Sequence, residues 1–231
     1  MASREKQHKR VLKYFIQAAQ SIIQEEGMEA VTIRKVANIA GFNSATLYNY
    51  FQDLDQLLLY ASLNYLTSYN KKIIQKSYRG KSWYDILLLT WEEFSDISFK
   101  YPEAFLQIFF NKHSDALPSI CNSYYDLFSE EKVSDTNEWH SILADFNLSN
   151  RNKAILCKMY PNNEISRQDL EIVNELMISA YRLLLEKRIS YKKEYSQQFC
   201  QQKMMINIRY LISTLQLKKE GVFDEQIKNQ L

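Results

Sequence analysis

The sequence predicts an all-α protein: a three-helix helix-turn-helix head joined by a long helix to a larger helical body. Three observations predict it. Only four Gly and three Pro occur in 231 residues, so breakers are scarce. Apolar residues recur at three- and four-residue spacing over most of the chain. Residues 32–51 read as two short helices folded back across one Gly-centred turn.

The elements follow in order. Val11, Leu12, Phe15, Ile16, Ala18, Ala19, Ile22 and Ile23 make one stripe on a helix over about residues 5–26, and Gly27 ends it in a left-handed conformation. Thr32 is placed to cap a second helix through Ile33, Val36, Ala37 and Ile39-Ala40, with Val31 and Val36 as a hydrophobic staple. Gly41 stops that helix. Asn43 caps a third, and Phe42 with Leu47 repeats the staple. Asp53-x-x-Gln56 is a variant capping box before a long helix that reaches about residue 76, with a break at Arg79-Gly80. Helices follow at about 82–100, 102–114 and 117–133, with Pro102 and Pro118 in first turns. Residues 134–165 read as loops around one possible helix. Two strong helices close the chain at about 166–189 and 193–218.

The second short helix of the turn carries small, hydroxyl, amide and phenol side chains outward, as a helix entering a DNA major groove does. Asn can pair bidentately with adenine, and Ala or a Thr methyl can meet a thymine methyl. Asn43, Ser44, Ala45 and Asn49 are therefore candidate base-edge contacts, although Asn43 reads equally as a plain cap; Ser44 could also cap but favours DNA contact. Thr32, Arg34, Lys35, Thr46, Tyr48 and Tyr50 are candidate DNA contacts, chiefly to phosphate. Leu47 and Phe51 belong to the core. Residues 1–51 hold seven Lys/Arg and four Glu, a net of +3, against −1 for the remainder. That asymmetry fits a DNA-contacting head on a neutral body.

Thr32-Ile33, Val36-Ala37, Ala40-Gly41, Thr46-Leu47-Tyr48-Asn49-Tyr50-Phe51 and Leu57 together resemble the DNA-binding signature of the TetR/AcrR family of bacterial transcriptional regulators. The resemblance covers roughly residues 9–60. It implies a DNA-binding domain at 1–51 and an effector-binding and dimerisation domain at 52–231. It also implies a homodimer on a double-stranded, palindromic operator, released when a small molecule enters the body, with Tyr48 and Tyr50 as a phosphate-contacting pair. The family usually has a Lys near the start of the fourth helix, where it approaches phosphate. Leu54 stands here, flanked by Asp53 and Asp55.

The body is rich in aromatic residues, which suits a small apolar or aromatic effector. Trp91, Tyr101, Phe105, Phe109, Tyr124, Phe128, Met177 and Tyr181 are candidate pocket residues, with Trp83, Phe110 and Trp139 behind them, although aromatics at helical spacing usually make core. The last two helices are apolar on more than one side and need cover from more than one side. Leu170, Val173, Met177, Leu184, Met205, Ile208, Ile212 and Leu215 are the candidate dimer stripe, one half of a four-helix interface.

The chain has no catalytic spacing, phosphate loop or nucleophile elbow, so neither an enzyme nor a cofactor is expected. His8, His113 and His140 do not cluster, and Cys121, Cys157 and Cys200 show no metal or disulfide spacing. The polar N-terminus is no signal peptide and no apolar run is long enough to span a bilayer, so the expected compartment is the cytoplasm. A DNA-binding regulator whose body docks a protein instead of a small molecule is the competing reading. A helical enzyme is a remote one.

Overall fold

The structure is a computed structural model and describes residues 2–76, 78–132, 142 and 145–220. Trp139 and His140 lie outside the described residues. Every regular element among the described residues is helical. The α-helices are α1 (Ala2–Glu26), α2 (Ile33–Ala40), α3 (Ser44–Leu47), α4 (Leu54–Gln75), α5 (Trp83–Lys100), α6 (Pro102–Phe110), α7 (Leu117–Leu127), α8 (Leu148–Met159), α9 (Arg167–Ser190) and α10 (Gln197–Lys219). No described helix is long and apolar enough to cross a membrane. The chain divides into two compact units, Met1–Asn70 with Glu103–Ser134, and Lys71–Pro102 with Asp135–Leu231.

Local chemistry sets the helix ends. Ser82, Ser166 and Ser196 each accept a hydrogen bond from the third amide of the helix they precede, and Ser82 with Asp85 closes a full capping box. Ser196 explains why α10 starts at Gln197 rather than at about residue 193. Gly41 sits at φ 79°, ψ 29°, and the Phe42 amide reaches back to the Ala37 carbonyl at 2.8 Å. That is a Schellman end, and it turns the chain sharply between α2 and α3. Gly27 differs from expectation: φ 91° pairs with ψ 166°, an extended backbone with positive φ rather than the left-handed helical one.

In the first unit, Phe15, Ile16, Ala19, Val36, Leu47, Phe51 and Leu57 are all buried. Phe51 meets Phe15 and Tyr60 edge-on, with centroids 6.3 and 5.6 Å apart. Lys13 joins α1 to the end of α7. Its ammonium donates to the Leu127 carbonyl at 3.2 Å, pairs with Glu130 at 3.5 Å and lies 4.6 Å from the Phe128 ring centroid. A cation at that helix's C-terminus is favourable for the same reason a lysine there is common.

The second unit packs α5 against α8, α9 and α10. The Cys200 thiol lies 4.0 Å from the Leu184 carbonyl, and Lys218 pairs with Asp169, so α9 and α10 form an antiparallel hairpin. The predicted dimer stripe is corrected here. Leu170, Val173, Met177, Leu184, Ile208, Ile212 and Leu215 are buried inside the unit and Met205 is half-buried, so this stripe is the chain's own core. The apolar side chains the hairpin leaves open are on other faces: Ile172, Leu176 and Leu183 of α9, and Phe199, Ile206, Tyr210 and Leu217 of α10.

Candidate DNA-binding face

The face begins with the two caps. Thr32 Oγ1 accepts the Lys35 amide at 3.2 Å and starts α2. Asn43 Oδ1 accepts both the Thr46 amide at 2.8 Å and the Thr46 hydroxyl at 2.9 Å. Both lone-pair directions of that oxygen are thereby used. Asn43 keeps only amide N–H groups to offer a ligand, which removes the bidentate adenine contact in this conformation. Leu47, fully buried, holds α3 to the core, and the amides of Asn49, Tyr50 and Phe51 bond back to Thr46 and Leu47 to continue the turn.

With the apolar side fixed inward, the outward side follows. Thr32, Arg34, Asn43, Ala45, Tyr48 and Asn49 are exposed, whereas Lys35, Ser44, Thr46 and Tyr50 are half-buried. Tyr48 exposes 56% of its surface, too much for a core residue of its size. Lys35 is paired with Glu26, which reduces its worth as a free cation. Tyr50 is packed: its ring stacks on His8 at 4.6 Å and 26°, and meets Phe15 at 5.7 Å. The sequence reading did not connect His8 with this face. The signal was present in its spacing, seven residues before Phe15 on one side of α1.

At the start of α4, Leu54 is half-buried and offers no charge to a phosphate. Asp53 accepts the Gln56 amide at 2.9 Å and so caps α4, but the Gln56 side chain accepts the Gln52 amide at 2.8 Å rather than that of Asp53, so only the cap half of the predicted capping box is formed and the return bond falls one residue earlier. The acids beside Leu54 are not bare. His113 Nε2 lies 2.9 Å from Asp53, and Lys112 reaches Asp53 at 3.1 Å and Asp55 at 2.8 Å. Burial alone would raise the Asp53 carboxyl, but the Gln56 amide, His113 and Lys112 outweigh it and bring it down to about 2.

The predicted pocket residues fall into separate groups. In the first unit Tyr124 and Phe128 stack at 4.6 Å, and Phe105 and Phe109 lie 6.2 Å apart. Tyr124 donates to Glu131 at 2.7 Å; burial and that carboxylate push its hydroxyl far up. In the second unit Trp91 and Tyr181 meet at 5.7 Å, with Met177 buried nearby in sequence on the same helix as Tyr181. Tyr101 lies at the end of α5, 36% exposed. The core of the second unit carries a polar chain: Trp91 Nε1 donates to Asn152 Oδ1 at 2.7 Å, Asn152 to Asn174 at 2.8 Å, and Asn174 to the Ser149 hydroxyl at 2.7 Å. An open groove of about 710 Å³ runs between α5 and α10. Leu88, Leu89, Met205 and Ile206 line it with Glu92 and Arg209, and none of the predicted pocket residues do. Among the described residues, no group of three or more His, Cys, Asp or Glu is arranged to hold a metal ion.

Residues 15–61 match the family profile of bacterial regulatory proteins, tetR family. No curated protein sequence matches the chain. Two solved structures share the fold. FadR of Thermus thermophilus, a TetR-family transcriptional repressor in complex with lauroyl-CoA, superposes with a TM-score of 0.59 at 15% identity, covering 87% of this chain and 93% of that one. A TetR transcriptional regulator from Rhodococcus sp. RHA1 superposes with a TM-score of 0.52 at 13% identity, covering 90% and 97%.

Proposed function

We propose that this chain, whose residues 15–61 belong to the tetR family of bacterial regulatory proteins, is a ligand-responsive homodimeric repressor of a palindromic operator. The observation that carries the reading is the recognition segment itself. Residues 44–50 present Ala45, Tyr48 and Asn49 outward from a helix anchored by buried Leu47 and capped by Asn43. Ala45 and Asn49 read base edges, while Tyr48 and Arg34 position the helix on phosphates. Two heads reach half-sites roughly 34–36 Å apart, one helical turn of duplex.

The dimer forms through the open faces of α9 and α10, where Ile172, Leu176, Ile206 and Tyr210 lie exposed. Large side chains at helical spacing on two adjacent helices suit a four-helix contact. The effector is small and apolar or aromatic, and ligand binding and DNA binding oppose each other reciprocally. Lauroyl-CoA, the ligand of the Thermus thermophilus FadR structure, carries an apolar chain of the right character and is the first compound to try.

A gel shift at low salt with the intergenic DNA upstream of the chain's own operon tests the reading. One retarded species is expected, abolished by a competing unlabelled duplex and weakened by the effector. Binding to no local intergenic DNA sinks it. The groove between α5 and α10 favours a second reading, in which the body docks a protein partner instead of a small molecule. Retained DNA binding that no apolar compound weakens, together with a partner that does weaken it, selects that reading.

A further inference from the structure

The first helix carries a feature that the recognition segment alone does not explain. Arg4 and His8 stand one turn apart on α1, and Phe15 lies two turns further along the same side. Phe15 is buried, whereas Arg4 and His8 are exposed. The His8 imidazole lies nearly flat on the Tyr50 ring, with centroids 4.6 Å apart and planes 26° apart. Tyr50 also meets Phe15 at 5.7 Å. The half-buried Tyr50 ring is thus held by two rings of α1, and the one stacked on it, His8, is exposed.

The charged groups around His8 leave its protonated form available to an anion. Within a turn of it on its own helix they are Arg4, Glu5, Lys6, Lys9 and Arg10. Glu5 pairs with Lys9 at 3.6 Å, and Lys9 lies 4.0 Å from Asp126 of α7, so the one acid within a turn of His8 is already engaged. From the segment after α3, the titratable group packed on His8 is Tyr50. An imidazole gains a proton on going from about pH 8 to about pH 6, whereas phosphodiesters remain anionic.

We infer that His8 is a further DNA-contacting and positioning residue: it holds the Tyr50 phenol toward the phosphate backbone and, when protonated, adds its own N–H to that backbone. Arg4 extends the same track one turn outward. DNA affinity therefore rises as pH falls, through one extra phosphate contact per protomer.

The test uses the full chain and two fluorescein-labelled duplexes of about 30 base pairs, one from its own upstream region and one of scrambled sequence. Anisotropy titrations are run at about pH 6 and pH 8 over a range of salt. The wild type is expected to bind roughly three- to tenfold tighter at the lower pH, with a salt dependence steeper by about one per protomer. His8→Phe keeps a ring on Tyr50 but has no proton to gain, so it loses that part of the pH response. His8→Lys carries a fixed charge and shows the steeper salt dependence at both pH values. His8→Ala loses ring and charge and binds more weakly at both. Identical pH profiles for wild type and His8→Phe overturn the inference, because any remaining response, from His113 for example, is common to both. Absence of wild-type binding to either duplex at either pH is a different result and rejects the DNA-binding face itself.

Discussion

The recognition segment and the closing hairpin expose opposite chemistry from equally well-anchored helices. Around α3 the outward residues are Asn43, Ala45, Tyr48 and Asn49, and the inward ones, Leu47 and Phe51, are almost fully buried. On α9 and α10 the inward residues are likewise buried, but the outward ones include Ile172, Leu176, Leu183, Ile206 and Tyr210. A surface of amides, hydroxyls and a phenol is matched to a hydrated, anionic duplex. A surface of branched and aromatic side chains is matched to another protein surface. Anchoring alone therefore says nothing of the partner; what each helix leaves uncovered does.

The sharpest break in this comparison is to remove an anchor. Phe51→Ala leaves a cavity between Phe15 and Tyr60 and should destabilise the first unit by about 3–5 kcal/mol, read as a lower thermal midpoint. Retention of full stability would mean that α3 is not mounted on this core. The next is to recharge the hairpin. Leu176→Asp with Tyr210→Asp changes only exposed positions, so the fold should keep its stability to within about 1 kcal/mol. Self-association should weaken by about 2 kcal/mol or more, seen as a monomer in sedimentation. Affinity for a two-half-site duplex should then fall by about 10²- to 10⁴-fold as the linkage between heads is lost. A double variant that remains dimeric places the dimer contact elsewhere.

Most of the head was legible in the sequence because its signals are local. Thr32, Gly41, Asn43 and Asp53 each act on or through amides within a few residues, and each ends or caps a helix as expected, while Gln56 returns its bond to Gln52 instead of Asp53. The hairpin helices were legible as helices but their faces were not. Leu170, Val173, Met177 and Leu184 form as regular a stripe as any interface, and only the packing of α5 and α8 against them shows that the stripe is internal. Periodicity marks which residues avoid water, not which molecule covers them. Periodicity likewise could not say which unit each pocket candidate packs in: Tyr124 and Phe128 stack in the first and Trp91 and Tyr181 meet in the second. The stacking of His8 on Tyr50 and the engagement of Asp53 by His113 join residues 42 and 60 positions apart, and no local rule could have found them.

A finer cut through the recognition segment separates reading from positioning. Asn49→Ala should reduce discrimination between the operator and a base-substituted duplex by about 1–3 kcal/mol, while leaving binding to scrambled DNA nearly unchanged. Tyr48→Phe removes one hydroxyl from an exposed ring and should weaken both duplexes alike by a few-fold. Competition titrations on the two duplexes distinguish the outcomes. Equal losses for Asn49→Ala on both would assign it to the phosphates instead.

The smallest effect concerns the acid at the start of α4, where the comparison is electrostatic. The Asp53 carboxyl, normally 3.8, lies at about 2 in the folded chain. A depressed carboxyl adds stability that is present above its unfolded value and is lost as pH falls through the folded one. The window is therefore about pH 4 down to about pH 2, and Asp53→Asn should flatten the acid unfolding curve there by circular dichroism. The carboxylate side chain is 35% exposed, so solvent screening keeps the neutral-pH loss to a fraction of the cap's own worth of about 1 kcal/mol. The side-chain carbonyl introduced by Asp53→Asn can still accept the Gln56 amide, whereas Asp53→Ala loses the cap as well and should cost about 1 kcal/mol more. Because Lys112 and His113 already face this acid, removing its charge should leave DNA affinity within about twofold. A tenfold gain for Asp53→Asn would mean that the carboxylate confronts a phosphate, and that the pair at Lys112 and His113 opens when the head meets DNA.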